Sequence, residues 1–142
     1  MTRRVFVVEP NVVVSGMMSA DPHSPPSQIL DAMLGGRLLY LMSGALLSEY
    51  SAVLRRPGVV RFHQRSEDEI DELLTDLAAN AVWREPGDSE AAPESGDNHL
   101  WALLASHPGS RLITGDELLL KNPPRPGSVS TPRDATDGVR WR

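Results

Sequence analysis

Short apolar runs alternate with amphipathic stretches along the chain, and this alternation predicts a parallel α/β fold. Residues 4–9 form a valine-rich run without polar alternation, which is typical of a strand buried on both faces of a parallel sheet. Residues 37–42, 81–83 and 111–114 read as further strands, and residues 128–130 as a short edge strand. Strands that alternate with helices pair in parallel, with helices on both faces of the sheet.

Helical patterns fill the intervals between these strands, and serine caps mark where several of them begin. Ser24 precedes a proline at the first helical position, and Ser66 opens a capping box with Glu69. Gly35-Gly36 and Pro57-Gly58 are read as helix ends. The helices are predicted over residues 11–19, after Ser24, after Ser43, after Ser66, and from Asp97 to His107.

No internal repeat and no composition shift divides the chain. We therefore expect a single three-layer α/β domain over residues 1–142, with a central parallel sheet of four or five strands flanked by helices. Residues 122–142 form a Pro-, Gly- and Arg-rich C-terminal tail that is predicted to be ordered only in part. Within this tail, Thr131-Pro132 begins a final turn.

Four acidic residues carry most of the functional information. Glu9 follows the first strand, Asp116 follows the fourth strand, and Asp97 opens a helix, while Glu49 lies within a helix. In an open parallel sheet, ligands bind outside the carboxyl ends of the strands. Carboxylates brought there from distant parts of the chain can hold Mg²⁺, which prefers oxygen ligands. Such acids repel one another without metal, so we expect a raised pKa for at least one of them.

Composition narrows the alternatives. The chain has no cysteine, which excludes disulfides, thiolate nucleophiles and cysteine-ligated zinc. Residues 66–97 hold eleven acids and one base, whereas the rest of the chain holds eight acids and thirteen bases. The bases could line a surface for nucleic acid or be scattered and solvated. No apolar run reaches membrane-spanning length and the N-terminus is too brief for a signal peptide, so we expect a cytoplasmic protein.

The acids stand in motifs that resemble those of the PIN-domain family, in the branch of toxin components of bacterial toxin–antitoxin pairs. Glu9-Pro10-Asn11 followed by apolar residues and Ser15 resembles the family's Asp-Thr-Asn motif, and Thr114-Gly115-Asp116 matches its Thr-Gly-Asp turn. The stretches around Glu49 and Asp97 match its second and third acids. The similarity runs from about residue 4 to 135, in the family's order.

This resemblance implies a divalent-metal-dependent endoribonuclease that an antitoxin neutralises. Glu9, Glu49, Asp97 and Asp116 would be both the catalytic residues and the ligands of Mg²⁺ or Mn²⁺. Three further residues would support the site, namely Asn11, Ser15 and Thr114. The implied partners are RNA and a cognate antitoxin, with a homodimer as a further possibility and no membrane.

One departure from the family pattern leaves an alternative open. Glu9-Pro10 replaces the family's Asp-Thr, which lengthens the first acid and removes a hydroxyl that would contact it. The alternative is therefore an impaired PIN-like module that binds RNA or a protein without cleaving. A phosphatase or nucleotide-handling enzyme that uses the same acids is a third reading. His99, next to the third motif, is assigned to the surface.

Overall fold

Five short parallel strands form one sheet at the centre of the computed structural model, which describes residues 4–86 and 89–137. The strands are β1 (Val5–Val8), β2 (Leu39–Met42), β3 (Val82–Trp83), β4 (Arg111–Ile113) and β5 (Val129–Ser130). Their order across the sheet is β3-β2-β1-β4-β5, and every pairing is parallel. The predicted parallel α/β fold is therefore confirmed.

The centre of the sheet is β1, which the sequence predicts to be buried on both faces. Val7 and Val8 are fully buried, because helices cover both sides of the strand. Val8 pairs with Ile113 of β4, so these two strands end at the same edge of the sheet. The chain leaves β1 toward β2 on one side and returns to β4 on the other. A crevice that can take a ligand is expected at this reversal of strand order.

Eight helices surround the sheet within the described part of the chain. They are α1 (Pro10–Met18), α2 (Pro25–Leu34), α3 (Gly44–Leu54), α4 (Pro57–His63), α5 (Glu67–Ala79), α6 (Asn98–Ala105), α7 (Glu117–Lys121) and α8 (Pro132–Thr136). A 3₁₀ turn, Ser95–Asp97, precedes α6. The predicted serine caps are confirmed: Ser24, Ser43 and Ser66 each accept a hydrogen bond from a backbone N–H in the first turn.

Two short helices, α4 and α7, were not predicted, and α8 was predicted only as a turn. Pro57 was read as the end of the preceding helix, but it occupies the first turn of α4, where proline's missing N–H costs nothing. The other unpredicted helix, α7, has only five residues, which is too short for an apolar period to show. The predicted strands are also one or two residues too long, because the ends of each apolar run lie outside the hydrogen-bonded ladder.

The C-terminal segment contributes a strand to the sheet and a helix to the layer beside it. The Ser128 carbonyl, just before β5, accepts from the Leu112 N–H at 2.8 Å, and α8 packs against α2 with Ala135 buried. Of the predicted partly ordered tail, residues 138–142 lie outside the described residues. Among the described helices, none has the length and apolar character needed to cross a membrane.

A close approach of α1 and α2 depends on Gly16. A Cβ atom at this position would lie 2.7 Å from the backbone oxygen of Pro26, a separation that real Cβ atoms essentially never show. The Ser27 hydroxyl donates to the Gly16 carbonyl at 3.3 Å across the same contact. The two helices are therefore spaced by backbone atoms rather than by side chains.

Candidate active site

Glu9 lies at the end of β1 and caps the first turn of α1. Its Oε2 accepts from the Asn11 backbone N–H at 2.9 Å, and its Oε1 accepts from Asn11 Nδ2 at 3.1 Å. Pro10 supplies the fixed φ of the first helical position, so the chain turns into the helix directly after the strand. The Glu9 residue is only 9% exposed. Asn11 thus holds both oxygens of this buried carboxylate.

Glu49 is brought to the same edge by its neighbour on α3. The Tyr50 hydroxyl donates to the carbonyl of Val8, the last residue of β1, at 2.5 Å, and Tyr50 is almost fully buried. This bond ties α3 to the point at which Glu9 leaves the sheet. On the other side, His99 Nε2 lies 2.7 Å from Glu49 Oε2. The sequence-based assignment of His99 to the surface is therefore wrong.

The last two acids begin helices, but they do so differently. Asp116 caps α7, since its Oδ1 accepts from the Leu118 N–H at 2.9 Å. The buried Thr114 hydroxyl accepts from the Asp116 N–H at 3.0 Å and fixes the turn after β4. Asp97 occupies the capping position of α6, yet its side chain makes no capping bond. Its carboxylate therefore does not stabilise that helix end.

The four acids lie close enough to repel one another. Burial, together with the charges of Glu49, Asp97 and Asp116, raises the pKa of Glu9 to about 7 despite the lowering effect of the Asn11 N–H. Burial also raises the pKa of Asp97, as do the charges of Glu49 and Asp116. The expected raised pKa is confirmed. Within residues 4–86 and 89–137, no lysine or arginine pairs with any of these acids.

The donor set fits a hard divalent cation in its chemistry, although the side chains are not arranged as a ready ligand cage. Carboxylate and amide oxygens suit Mg²⁺ or Mn²⁺. No three Asp, Glu or His side chains in the described part of the chain stand together as a metal cluster. Three of the acids are hydrogen-bonded to the protein: Glu9 to Asn11, Glu49 to His99, and Asp116 to the α7 N-terminus. Because Mg²⁺ keeps several waters and takes one or two carboxylates directly, these residues fit it with few direct contacts.

An open cleft of about 370 Å³ lies beside Glu9 and Asp116. Its lining consists of Glu9, Asn11, Val12, Ser15, Pro26, Gly115, Asp116 and Pro132. Glu49 and Asp97 are not part of this lining. Four of the seven residues singled out from the sequence therefore share one cleft. The charges of the other two acids, Glu49 and Asp97, act on Glu9, and Thr114 is buried beneath the turn.

Comparison with known families decides the classification. A family model described as "PIN domain" matches residues 5–118. The chain belongs to the PIN-domain family. PIN domains are generally nucleases and generally use divalent metals. The matched region contains all four acids, whereas β5 and α8 of this PIN domain lie beyond it. No curated protein and no solved structure matches the chain.

Two residues of the site were not identified as functional from the sequence of this PIN domain. Tyr50 was not singled out from the sequence, and His99 was placed on the surface. Each contacts a partner more than 40 residues away in the chain, Val8 and Glu49 respectively. The available signal was their position beside motif acids, since Tyr50 follows Glu49 directly and His99 follows Asp97 by two residues.

Proposed function

We propose that this PIN-domain protein is an endoribonuclease that hydrolyses RNA phosphodiester bonds with Mg²⁺ or Mn²⁺. The observation that carries the proposal is the electrostatic repulsion among Glu9, Glu49, Asp97 and Asp116, none of which pairs with a lysine or arginine within residues 4–86 and 89–137. Burial, together with the charges of the other three acids, raises the pKa of Glu9 to about 7. Acids that repel one another in this way are relieved by a cation. Family membership supports nuclease chemistry, and the all-oxygen donor set supports Mg²⁺ or Mn²⁺ over zinc.

In this proposal, Glu9, Glu49, Asp97 and Asp116 hold the metal. When bound, the ion would supply the positive charge that stabilises the phosphate and makes water a competent nucleophile. Asn11 orients Glu9 through both of its oxygens. The exposed Asp116 faces the cleft, where a phosphate can approach.

The remaining supporting residues act from either side of that cleft. Ser15 is exposed in the lining and can donate its hydroxyl to a phosphate oxygen. Thr114 keeps Asp116 in place through the backbone bond described above. The substrate thus meets hydrogen-bond donors on α1 and carboxylates on the β4–α7 turn.

The cellular role follows from the motif resemblance. We propose a cytoplasmic toxin that cleaves RNA and is neutralised by a cognate antitoxin protein, with a homodimer as the acting form. The order and spacing of the four acidic motifs support this role. Co-purification of the tagged chain from its own host, with and without RNase treatment, would test for an antitoxin that stays bound in stoichiometric amount.

Cleavage of a long RNA by purified protein tests the enzymatic proposal. Wild type should cut with Mg²⁺ or Mn²⁺ and stop when a chelator is added. Asp97→Asn and Asp116→Asn should each lower the rate by about 100-fold or more, because metal stabilisation of the transition state supplies several kcal/mol. The matched control is Asp71→Asn, which removes an exposed acid that pairs with Arg55 away from the site. Equal rates for Asp97→Asn and Asp71→Asn would refute the proposal.

An impaired binding module is the second candidate. Glu9-Pro10 in place of the family's Asp-Thr favours it, and so does the engagement of both Glu9 oxygens by Asn11. Under this alternative, wild type cuts no RNA with either metal, Glu9→Asp restores cutting, and calorimetric titration of wild type with Mn²⁺ gives no saturable heat. Hydrolysis of a small phosphoester but not of RNA would instead select a phosphatase.

A further inference from the structure

The contact between His99 and Glu49 joins two of the elements that carry the acids. His99 Nε2 on α6 lies 2.7 Å from Glu49 Oε2 on α3, and the two side chains are only 18% and 29% exposed. A carboxylate can only accept a hydrogen bond, so Nε2 carries the proton and donates it. Asp97 immediately precedes α6, so this bond links the helix that carries the second acid to the helix that follows the third.

The histidine ring holds this position at a cost to stability. Its Nδ1 is buried and has no hydrogen-bond partner within residues 4–86 and 89–137. A buried polar atom left unpaired costs about 1–3 kcal/mol. An apolar side chain of similar size would avoid that cost. What the histidine supplies in return is the bond to Glu49, which an apolar residue cannot make.

That bond restrains a side chain that is otherwise long and flexible. Ordering a glutamate side chain costs up to about 2 kcal/mol of conformational entropy. His99 holds Oε2 of Glu49, while Oε1 makes no hydrogen bond within the described part of the chain. One oxygen is therefore fixed and the other is left available to a ligand, and the charge of Glu49 acts on both Glu9 and Asp97.

We propose that His99 is a positioning residue that orients the Glu49 carboxylate for binding of a divalent cation. The inference rests on the proposed metal site and adds a residue to it. Partners that hold a metal-binding carboxylate in place are typically worth 10–100-fold in metal affinity or activity. His99 contacts Glu49 and acts through it, so it has no contact with the substrate in this scheme.

Calorimetric titration with Mn²⁺ at a fixed pH of about 8 tests the proposal without relying on activity. His99→Ala should weaken Mn²⁺ binding by roughly 10-fold. His99→Gln, which keeps an N–H donor at comparable reach, should recover most of the affinity. His23→Ala is the matched control, because His23 is exposed in the loop before α2. In RNA cleavage, the His99→Ala defect should shrink as Mn²⁺ is raised to saturation, and the KM for RNA should stay unchanged.

The outcomes separate the two proposals. Wild-type binding of Mn²⁺ with equal affinity for His99→Ala would overturn the positioning role and leave the metal site intact. Absence of Mn²⁺ binding by wild type would overturn both. His99→Leu guards against a folding defect, because it fills the space without the unpaired nitrogen. It should unfold at the wild-type temperature or above and still show the weakened Mn²⁺ binding.

Discussion

Two acidic regions of this molecule, the start of α5 and the end of β1, shift the pKa of a carboxyl group in opposite directions. On α5, Glu67 and Asp71 both pair with Arg55, which follows α3, and the Glu67 contact is 2.8 Å. Glu69 accepts from the Ser66 backbone N–H at 3.0 Å, and that hydrogen bond lowers the pKa of Glu69. At the end of β1, burial and three neighbouring acids raise the pKa of Glu9.

The difference shows which acids serve the fold. Glu69 accepts a hydrogen bond that favours its charged form, so its ionisation stabilises the start of the folded helix. The stability that Glu69 adds is present above its ordinary pKa and is lost as the pH falls through its folded pKa. The contribution of Glu9 to stability depends on pH in the opposite direction. Its proton binds more tightly in the folded state, so metal-free stability falls as the pH rises from about 4.5 to about 7.

The largest predicted effect is therefore that Glu9→Gln stabilises the metal-free protein at high pH. A glutamine keeps an acceptor for the Asn11 N–H and cannot ionise. The free energy of unfolding of the variant should exceed that of wild type by on the order of 3 kcal/mol at pH 8, and the advantage should vanish near pH 4.5. Urea unfolding in a chelator at several pH values measures it.

A matched variant on α5 sharpens this prediction. Glu69→Gln removes an acid whose ionised form is favoured, so it should destabilise the protein at pH 8 and lose that effect in acid. Parallel pH profiles for the two variants would show that the two regions do not differ as described. Saturating Mn²⁺ should also reverse the advantage of Glu9→Gln, because the ion favours the carboxylate of wild type.

A smaller effect is expected from two buried tyrosines that anchor the two regions. Tyr50 donates to Val8 beside the candidate site, and Tyr40 donates to Leu77 of α5 at 2.6 Å. Removal of either hydroxyl by Tyr→Phe should cost about 1–2 kcal/mol, since a buried carbonyl loses its partner. Only Tyr50→Phe should also weaken Mn²⁺ binding, because only it frees the helix that carries Glu49. Thermal unfolding and Mn²⁺ calorimetry should be measured on both variants. Equal Mn²⁺ affinities of the two variants would contradict this prediction.

The smallest effect concerns the α5 cap alone. Ser66→Ala removes the hydroxyl that accepts from the Glu69 N–H at 3.2 Å, and it should lower the free energy of unfolding by about 1 kcal/mol. RNA cleavage and Mn²⁺ affinity should stay at wild-type values, because the cap stabilises only the start of that helix. A change in either quantity would show that α5 is coupled to the acids at the sheet edge.

The sequence predicted well those parts of the molecule that depend on local patterns. Serine caps and the valine run of β1 follow from hydrogen bonding and burial within a few residues, and the shared edge for Glu9 and Asp116 follows from parallel pairing. The unpredicted helices α4 and α7 have seven and five residues, which is too short for an amphipathic repeat to be recognised. Pro57 also has two compatible roles, ending one helix or starting another.

The contacts that complete the candidate site could not be read from the chain. Tyr50 reaches Val8 across 42 positions, and His99 reaches Glu49 across 50. Such pairs depend on how α3 and α6 pack on the sheet, which no local pattern specifies. The same holds for Asp97, which sits at a capping position without acting as a cap. That the Asp97 side chain makes no capping bond can be seen only when its position is known.

Gly16 has a consequence for the width of the cleft. The helix that follows β1 carries Asn11 and Ser15 on one wall, and Pro26 of the neighbouring helix stands opposite. Because residue 16 has no Cβ, the backbone of α1 comes close to the Pro26 carbonyl oxygen of α2. A methyl group there would push α1 and α2 apart and widen the cleft without replacing any of the four acids. The width of the cleft therefore depends on a position that carries no side chain.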